Sequence, residues 1–69
     1  MMTFAEKVKT ARSELGDSQA QLAEKVGVSL RTIAAYEQGV KRPRQGTMLK
    51  LAKALKVSVK FLSDDDCVD

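Results

Sequence analysis

Apolar residues recur at helical spacing from the start of this chain. Phe4, Val8, Ala11 and Leu15 fall at i, i+4, i+7 and i+11, forming one stripe on one side of a helix. Thr3 and Glu6 flank its start as a capping box, and Gly16 ends it by accepting the left-handed conformation. Ser18 and Gln21 make a second capping box, followed by Leu22, Ala23 and Val26, and Gly27 stops that helix. Ser29 caps a third helix that carries Ile33 and Tyr36 on one face and ends at Gly39. A fourth is expected from about Thr47 to Leu55, with Met48, Leu51, Ala52 and Leu55 inward. Ser58 caps a last short turn holding Val59, Phe61 and Leu62. No stretch alternates apolar and polar residues long enough for a strand. The pattern therefore predicts an all-α fold in which five helices too short to stand alone share one core.

Length and composition narrow the function. Sixty-nine residues support one small domain, expected over residues 1–63. No run of about 18 apolar residues occurs, so no membrane span is expected. MMTFAEKVK lacks the apolar stretch and cleavage site of a signal peptide. With no His and one Cys, neither a structural zinc site nor a His-dependent catalytic centre can be assembled. The single cysteine, Cys67, fits a reducing compartment and is read as incidental. No cofactor, metal ligand or catalytic residue is expected, and the chain is not read as an enzyme.

Charge is unevenly placed. Residues 1–63 hold 12 basic and 5 acidic groups, a net of +7, whereas 64–69 hold four aspartates and are expected to be an acidic, disordered tail. From Gln38 to Ser63 there is no acid, but there are Lys41, Arg42, Arg44, Lys50, Lys53, Lys56 and Lys60. A body this basic suits a polyanion, either nucleic acid or an anionic membrane. The membrane reading fails on geometry. The face of the fourth helix opposite Lys50, Lys53 and Lys56 is needed for the core and is not free to insert.

Residues 18–38 carry the most information. Two short helices joined by a turn containing Gly27 cross tightly when a small residue lies at their contact and aliphatics fill the angle. Ala23 meets the first need, and Leu22, Val28 and Ile33 meet the second. With SQAQLAEKVGVS, IAAYEQG, KRPR and LAKALKVSVKFL in this order, the chain resembles the phage-repressor and Cro-like (xenobiotic response element) helix-turn-helix family of bacterial DNA-binding proteins. The resemblance covers about residues 4–62 and implies a lambda-repressor-like five-helix domain.

The resemblance implies a sequence-specific transcriptional regulator of double-stranded DNA, a repressor that binds a palindromic operator as a homodimer, preformed or assembled on DNA. The third helix would enter the major groove and the second would cross the backbone. Base contacts would come from Leu30, Arg31, Thr32 and Ala35. Arg31 can grip guanine through O6 and N7, Thr32 can bond a base or pack on a thymine methyl, and Leu30 and Ala35 suit thymine methyls. Backbone contacts would come from Gln19, Gln38, Lys41, Arg42 and Arg44, with Arg44 reaching toward a narrowed minor groove. Arg12 and Glu37 occupy positions where the family often has an ion pair. Phe61, Val59 and the loop before the fourth helix would form the dimer surface. The expected setting is bacterial or phage-encoded, cytoplasmic and nucleoid-associated. The competing reading is a protein-interaction module, such as an antitoxin or partner-binding subunit, with a toxin or other protein as partner and DNA binding secondary. One departure is visible: where the family usually shows Leu-Gly-Val after the fourth helix, this chain has Leu55-Lys56-Val57.

Overall fold

Four successive helices end in the same hydrogen-bonded motif. In the computed structural model, which describes residues 3–63, the elements are α1 (Phe4–Leu15), α2 (Gln19–Val26), α3 (Leu30–Gln38), α4 (Gln45–Leu55) and α5 (Val59–Ser63). After each of the first four, one residue turns left-handed and the next N–H reaches back over the last turn. The pairs are Asp17 to Arg12, Val28 to Ala23, Val40 to Ala35 and Val57 to Ala52, at 3.0–3.2 Å. This satisfies carbonyls that a helix end would otherwise leave open. Gly16, Gly27 and Gly39 hold the left-handed position in three cases, and Lys56 holds it in the fourth at φ 60. The acidic tail expected at 64–69, Cys67 included, lies outside the described residues.

The starts are equally legible. Thr3 and Ser18 each form a reciprocal capping box, with Glu6 and Gln21 respectively. Ser29 caps α3 by accepting from the Thr32 N–H at 3.2 Å. The start of α4 differs from the sequence expectation: it begins at Gln45, not Thr47. Pro43 holds the preceding chain extended, and the Arg44 carbonyl then accepts the Met48 N–H at 2.7 Å, closing the first turn two residues early. Gly46 is consequently inside the helix. Its propensity cost, about 1 kcal/mol against Ala, is offset by the burial of Met48 and Leu51.

Each helix supplies one fully enclosed side chain to the centre: Val8, Leu22, Ile33, Leu51 and Leu62. At about 1.5–3 kcal/mol for each large apolar side chain buried, these five tie every element to the same core. Phe4 meets Tyr36 edge to face, with ring centroids 6.2 Å apart. α1 packs on α3, α4 and α5, and α2 packs on α3 and α4. Lys7, on the flank of the α1 stripe, is also buried. Its amine donates to the Phe61 carbonyl at 2.8 Å and stands 5.1 Å from the Phe61 ring centroid. The long apolar stem of lysine makes this placement tolerable, and the contact fastens α5 to α1.

Candidate nucleic-acid interface

The outer surface of α3 follows from its inner one. Ile33 and Tyr36 are buried, so the stripe made by Arg31, Ala35 and Gln38 at i, i+4 and i+7 lies away from them. Leu30 is 50% exposed at the first helical position, and Arg31 beside it is also exposed. Ala35 and Thr32 are half-buried. The Thr32 hydroxyl shares a 2.9 Å hydrogen bond with the Ser29 hydroxyl, so the cap and this side chain are one unit. Gln38, Lys41, Arg42 and Arg44 are exposed at the end of α3 and in the loop after it.

The electrostatics of α3 are set from beneath. Its one acid is Glu37, whose side chain is only 4% exposed. Arg12 binds that carboxylate twice, Nε to Oε2 at 2.6 Å and Nη2 to Oε1 at 3.2 Å. Its remaining donor, Nη1, reaches the Asp17 carbonyl at 2.8 Å. Asp17 in turn accepts from Lys25 at 2.6 Å. Glu37 is thus withdrawn from the surface and neutralised, leaving a cation, Arg31, as the exposed charge on α3.

Gln19 belongs to the same network. Its side-chain nitrogen donates to Glu37 Oε1 at 3.0 Å. Hydrogen bonds through Glu37 therefore join α1, the first residue of α2 and the last turn of α3. The Gln19 and Ala20 N–H groups, in the first turn of α2, have no acceptor inside the helix and point along its axis. Leu30 offers no acceptor for Gln19, and Glu37 takes that role instead.

Two side chains have different surroundings from those that sequence alone suggests. Arg42 is exposed, yet its guanidinium lies 4.9 Å from the Phe4 ring centroid, covering the edge of the core. Of the two side chains expected at a dimer surface, Phe61 is 42% exposed, but Val59 is partly buried against the core. Val59 opens α5 close to Val57 and α4, which draws it inward. Sequence reasoning also missed buried Lys7. The available signal was its place three residues after Phe4, on the rim of the apolar stripe.

Residues 8–62 match the helix-turn-helix family along almost the whole of the folded region. The chain belongs to this family. Among helix-turn-helix relatives, it is 33% identical over 58 residues to the cryptic phage CTXphi transcriptional repressor RstR of Vibrio cholerae, covering 84% of this chain and 52% of that one. The chain spans about half the length of such relatives. The P22 c2 repressor, solved in complex with a synthetic operator, superposes with a TM-score of 0.87 at 32% identity, covering 90% of this chain and 94% of that one. The biofilm regulator SinR of Bacillus subtilis, solved in complex with DNA, gives 0.84 at 32% identity, with 90% and 100% covered. Among the described residues no helix is long and apolar enough to cross a membrane.

Proposed function

We propose that this chain is a sequence-specific, double-stranded DNA-binding transcriptional regulator that represses from a palindromic operator as a homodimer. The observation that carries this reading is the outward N-terminal end of α3. Leu30 and Arg31 are exposed, and Arg31 makes no ion pair among the described residues, in a fold that matches an operator-bound repressor.

In this reading α3 lies in the major groove, where a helix fits and every base pair presents a distinct edge. Arg31 donates two hydrogen bonds to one guanine. Leu30, Ala35 and the Thr32 methyl pack on thymine methyls. Gln19, Gln38, Lys41, Arg42 and Arg44 contact phosphates and fix the register without reading sequence. Arg44 also approaches the minor groove. One such module specifies too few base pairs to define a genomic site, and two-fold pairing supplies the rest. Phe61 and the loop before α4, where Val40 is 73% exposed, form the pairing surface. The protein acts by binding, in the cytoplasm of a bacterium, on bacterial or phage DNA.

Selection of bound sequences from a random duplex pool tests the proposal. An enriched, two-fold symmetric site with half-sites about 34 Å apart is the expected result. Recovery of no motif, with binding that tracks only total charge, would defeat it.

A further inference from the structure

The hydroxyls of Ser29 and Thr32 lie 2.9 Å apart at the start of α3. Ser29 is the N-cap of that helix, and Thr32 is its third residue. In α1 and α2 the third position holds Glu6 and Gln21, which reach back to the backbone N–H of their caps. Thr32 bonds the side chain of its cap instead. Ser29 is itself held, because its oxygen also accepts the Thr32 N–H at 3.2 Å. These bonds close on a side chain whose direction a helix leaves open: a helical threonine divides between two χ1 rotamers, whereas valine keeps one. Either hydroxyl can donate, and in both cases the bond turns Thr32 Oγ1 toward the cap. The methyl is the branch of Thr32 that this bond does not engage.

Resting on the reading of α3 as the base-contacting helix, we propose that Ser29 is a specificity-determining positioning residue for the operator. It fixes the rotamer of Thr32, so that Thr32 meets the groove through its methyl and selects thymine. A hydroxyl free to turn can bond several bases, since guanine, adenine and thymine all present acceptors in the major groove, and adenine and cytosine present donors. A hydroxyl engaged by the cap already has its bond, and exchanging it for a bond to a base gains little. The 5-methyl of thymine is then the feature left to recognise. Ser29 and the Ser29–Thr32 bond are exposed in the free protein, where water competes for both hydroxyls. Exclusion of that water in the groove strengthens the bond at the moment of reading. Ser29 acts on base choice without itself touching a base.

The test has one arm without DNA and one with it. In the full chain, three-bond NMR couplings from the Thr32 methyl carbon to the backbone nitrogen and carbonyl carbon report χ1. Wild type is expected to show one rotamer, Ser29→Gly a mixture, and Ser29→Thr one rotamer again. Glycine replaces a capping serine at little cost in stability, so the fold is kept. In the second arm, binding is measured to the operator duplex recovered by selection. Each thymine is replaced in turn, in both half-sites, by uracil, which lacks only the methyl. Thr32→Ala identifies the thymine concerned, as the one whose replacement ceases to matter. In wild type that replacement should weaken binding roughly 10-fold, from ~0.8 kcal/mol for the methyl lost in each half-site. Ser29→Gly should keep less than about half of this penalty, because only part of the population then presents the methyl. Adding Thr32→Val should restore it, because valine needs no partner to hold its rotamer.

A single Thr32 rotamer in Ser29→Gly, or a uracil penalty as large in Ser29→Gly as in wild type, would overturn the inference and leave α3 as the reader. A uracil penalty that Thr32→Ala leaves intact at every thymine would overturn the assignment of Thr32 to a base, and the role of Ser29 with it.

Discussion

Arg12 on α1 and Glu37 on α3 form a two-pronged ion pair, 2.6 and 3.2 Å between the bonded atoms, beneath the exposed face of α3. Their side chains are 15% and 4% exposed, so each charge depends on the other for compensation. Arg12→Met or Glu37→Leu alone is expected to cost roughly 3–5 kcal/mol by stranding a buried charge. Against the ~5 kcal/mol typical of a marginal small domain, either variant would be largely unfolded. The double variant should recover much of the loss, and urea unfolding of the three proteins measures the coupling. Single losses below about 1 kcal/mol would class the pair with ordinary surface contacts.

Lys56 occupies a position that glycine holds after α1, α2 and α3. Left-handed backbone costs an L-residue roughly 1–2 kcal/mol, and Gly regains part of this at some entropic expense. Lys56→Gly is therefore expected to stabilise the fold by about 1 kcal/mol, which raises the melting temperature of so small a domain by roughly 4–8 °C. The reciprocal change, Gly27→Ala, has free space around the new methyl group. It should still destabilise by about 1–2 kcal/mol, from conformation alone. Thermal unfolding with a raised midpoint for Gly27→Ala would contradict this account.

Arg31 and Arg44 are assigned different work on DNA, and they should fail differently. Arg31→Ala is expected to relax preference at one or two base pairs, by about 1–3 kcal/mol of discrimination. Arg44→Ala should weaken every site by a similar factor and lower the salt slope by roughly one charge. Binding to a panel of operator variants at several salt concentrations separates the two. Indistinguishable profiles would remove the basis for treating Arg31 as a base reader.

Arg42 covers Phe4, so its loss should register without DNA. Arg42→Ala is expected to lower stability by about 0.5–1 kcal/mol, the range for an exposed cation over an aromatic ring. Arg42→Lys should retain part of that and most of the phosphate affinity. Denaturant midpoints for the two variants, set beside their binding constants, test whether this side chain serves both the core edge and the backbone contact.

Tyr36 is the one tyrosine of the chain, which makes its titration easy to assign. Burial disfavours the phenolate and pushes its pKa above the ordinary 10.0. A raised pKa means that the folded state holds the proton more tightly than the unfolded state. The contribution to stability is complete below pH 10.0, then falls as pH rises through the folded value. Phenolate absorbance should therefore appear above pH 10.0, together with loss of helical circular dichroism. Ionisation below that pH with the helices intact would show the ring to be accessible.

Helix ends were the most legible part of this protein. Thr3, Ser18, Ser29 and Ser58 mark starts, and Gly16, Gly27 and Gly39 mark stops, because capping and left-handed turns are local events settled within four or five residues. The inward faces were legible for a related reason: a period of 3.6 leaves one side of each helix in which to place the apolar residues. The early start of α4 was less so. Gly46 reads as loop by propensity, and burial of Met48 outweighs it.

Local patterning implies five helices, with limits within two residues of those observed, and the helix whose start faces outward. Packing of the helices against one another sets which polar side chains meet. Gln19 donates to Glu37 and not to the start of α3, Lys7 turns inward to the Phe61 carbonyl, and Arg42 lies over Phe4. These partners are 18, 54 and 38 residues apart in sequence. Backbone periodicity carries no information across such separations. Long flexible side chains choose partners only after the core has fixed the distances between helices.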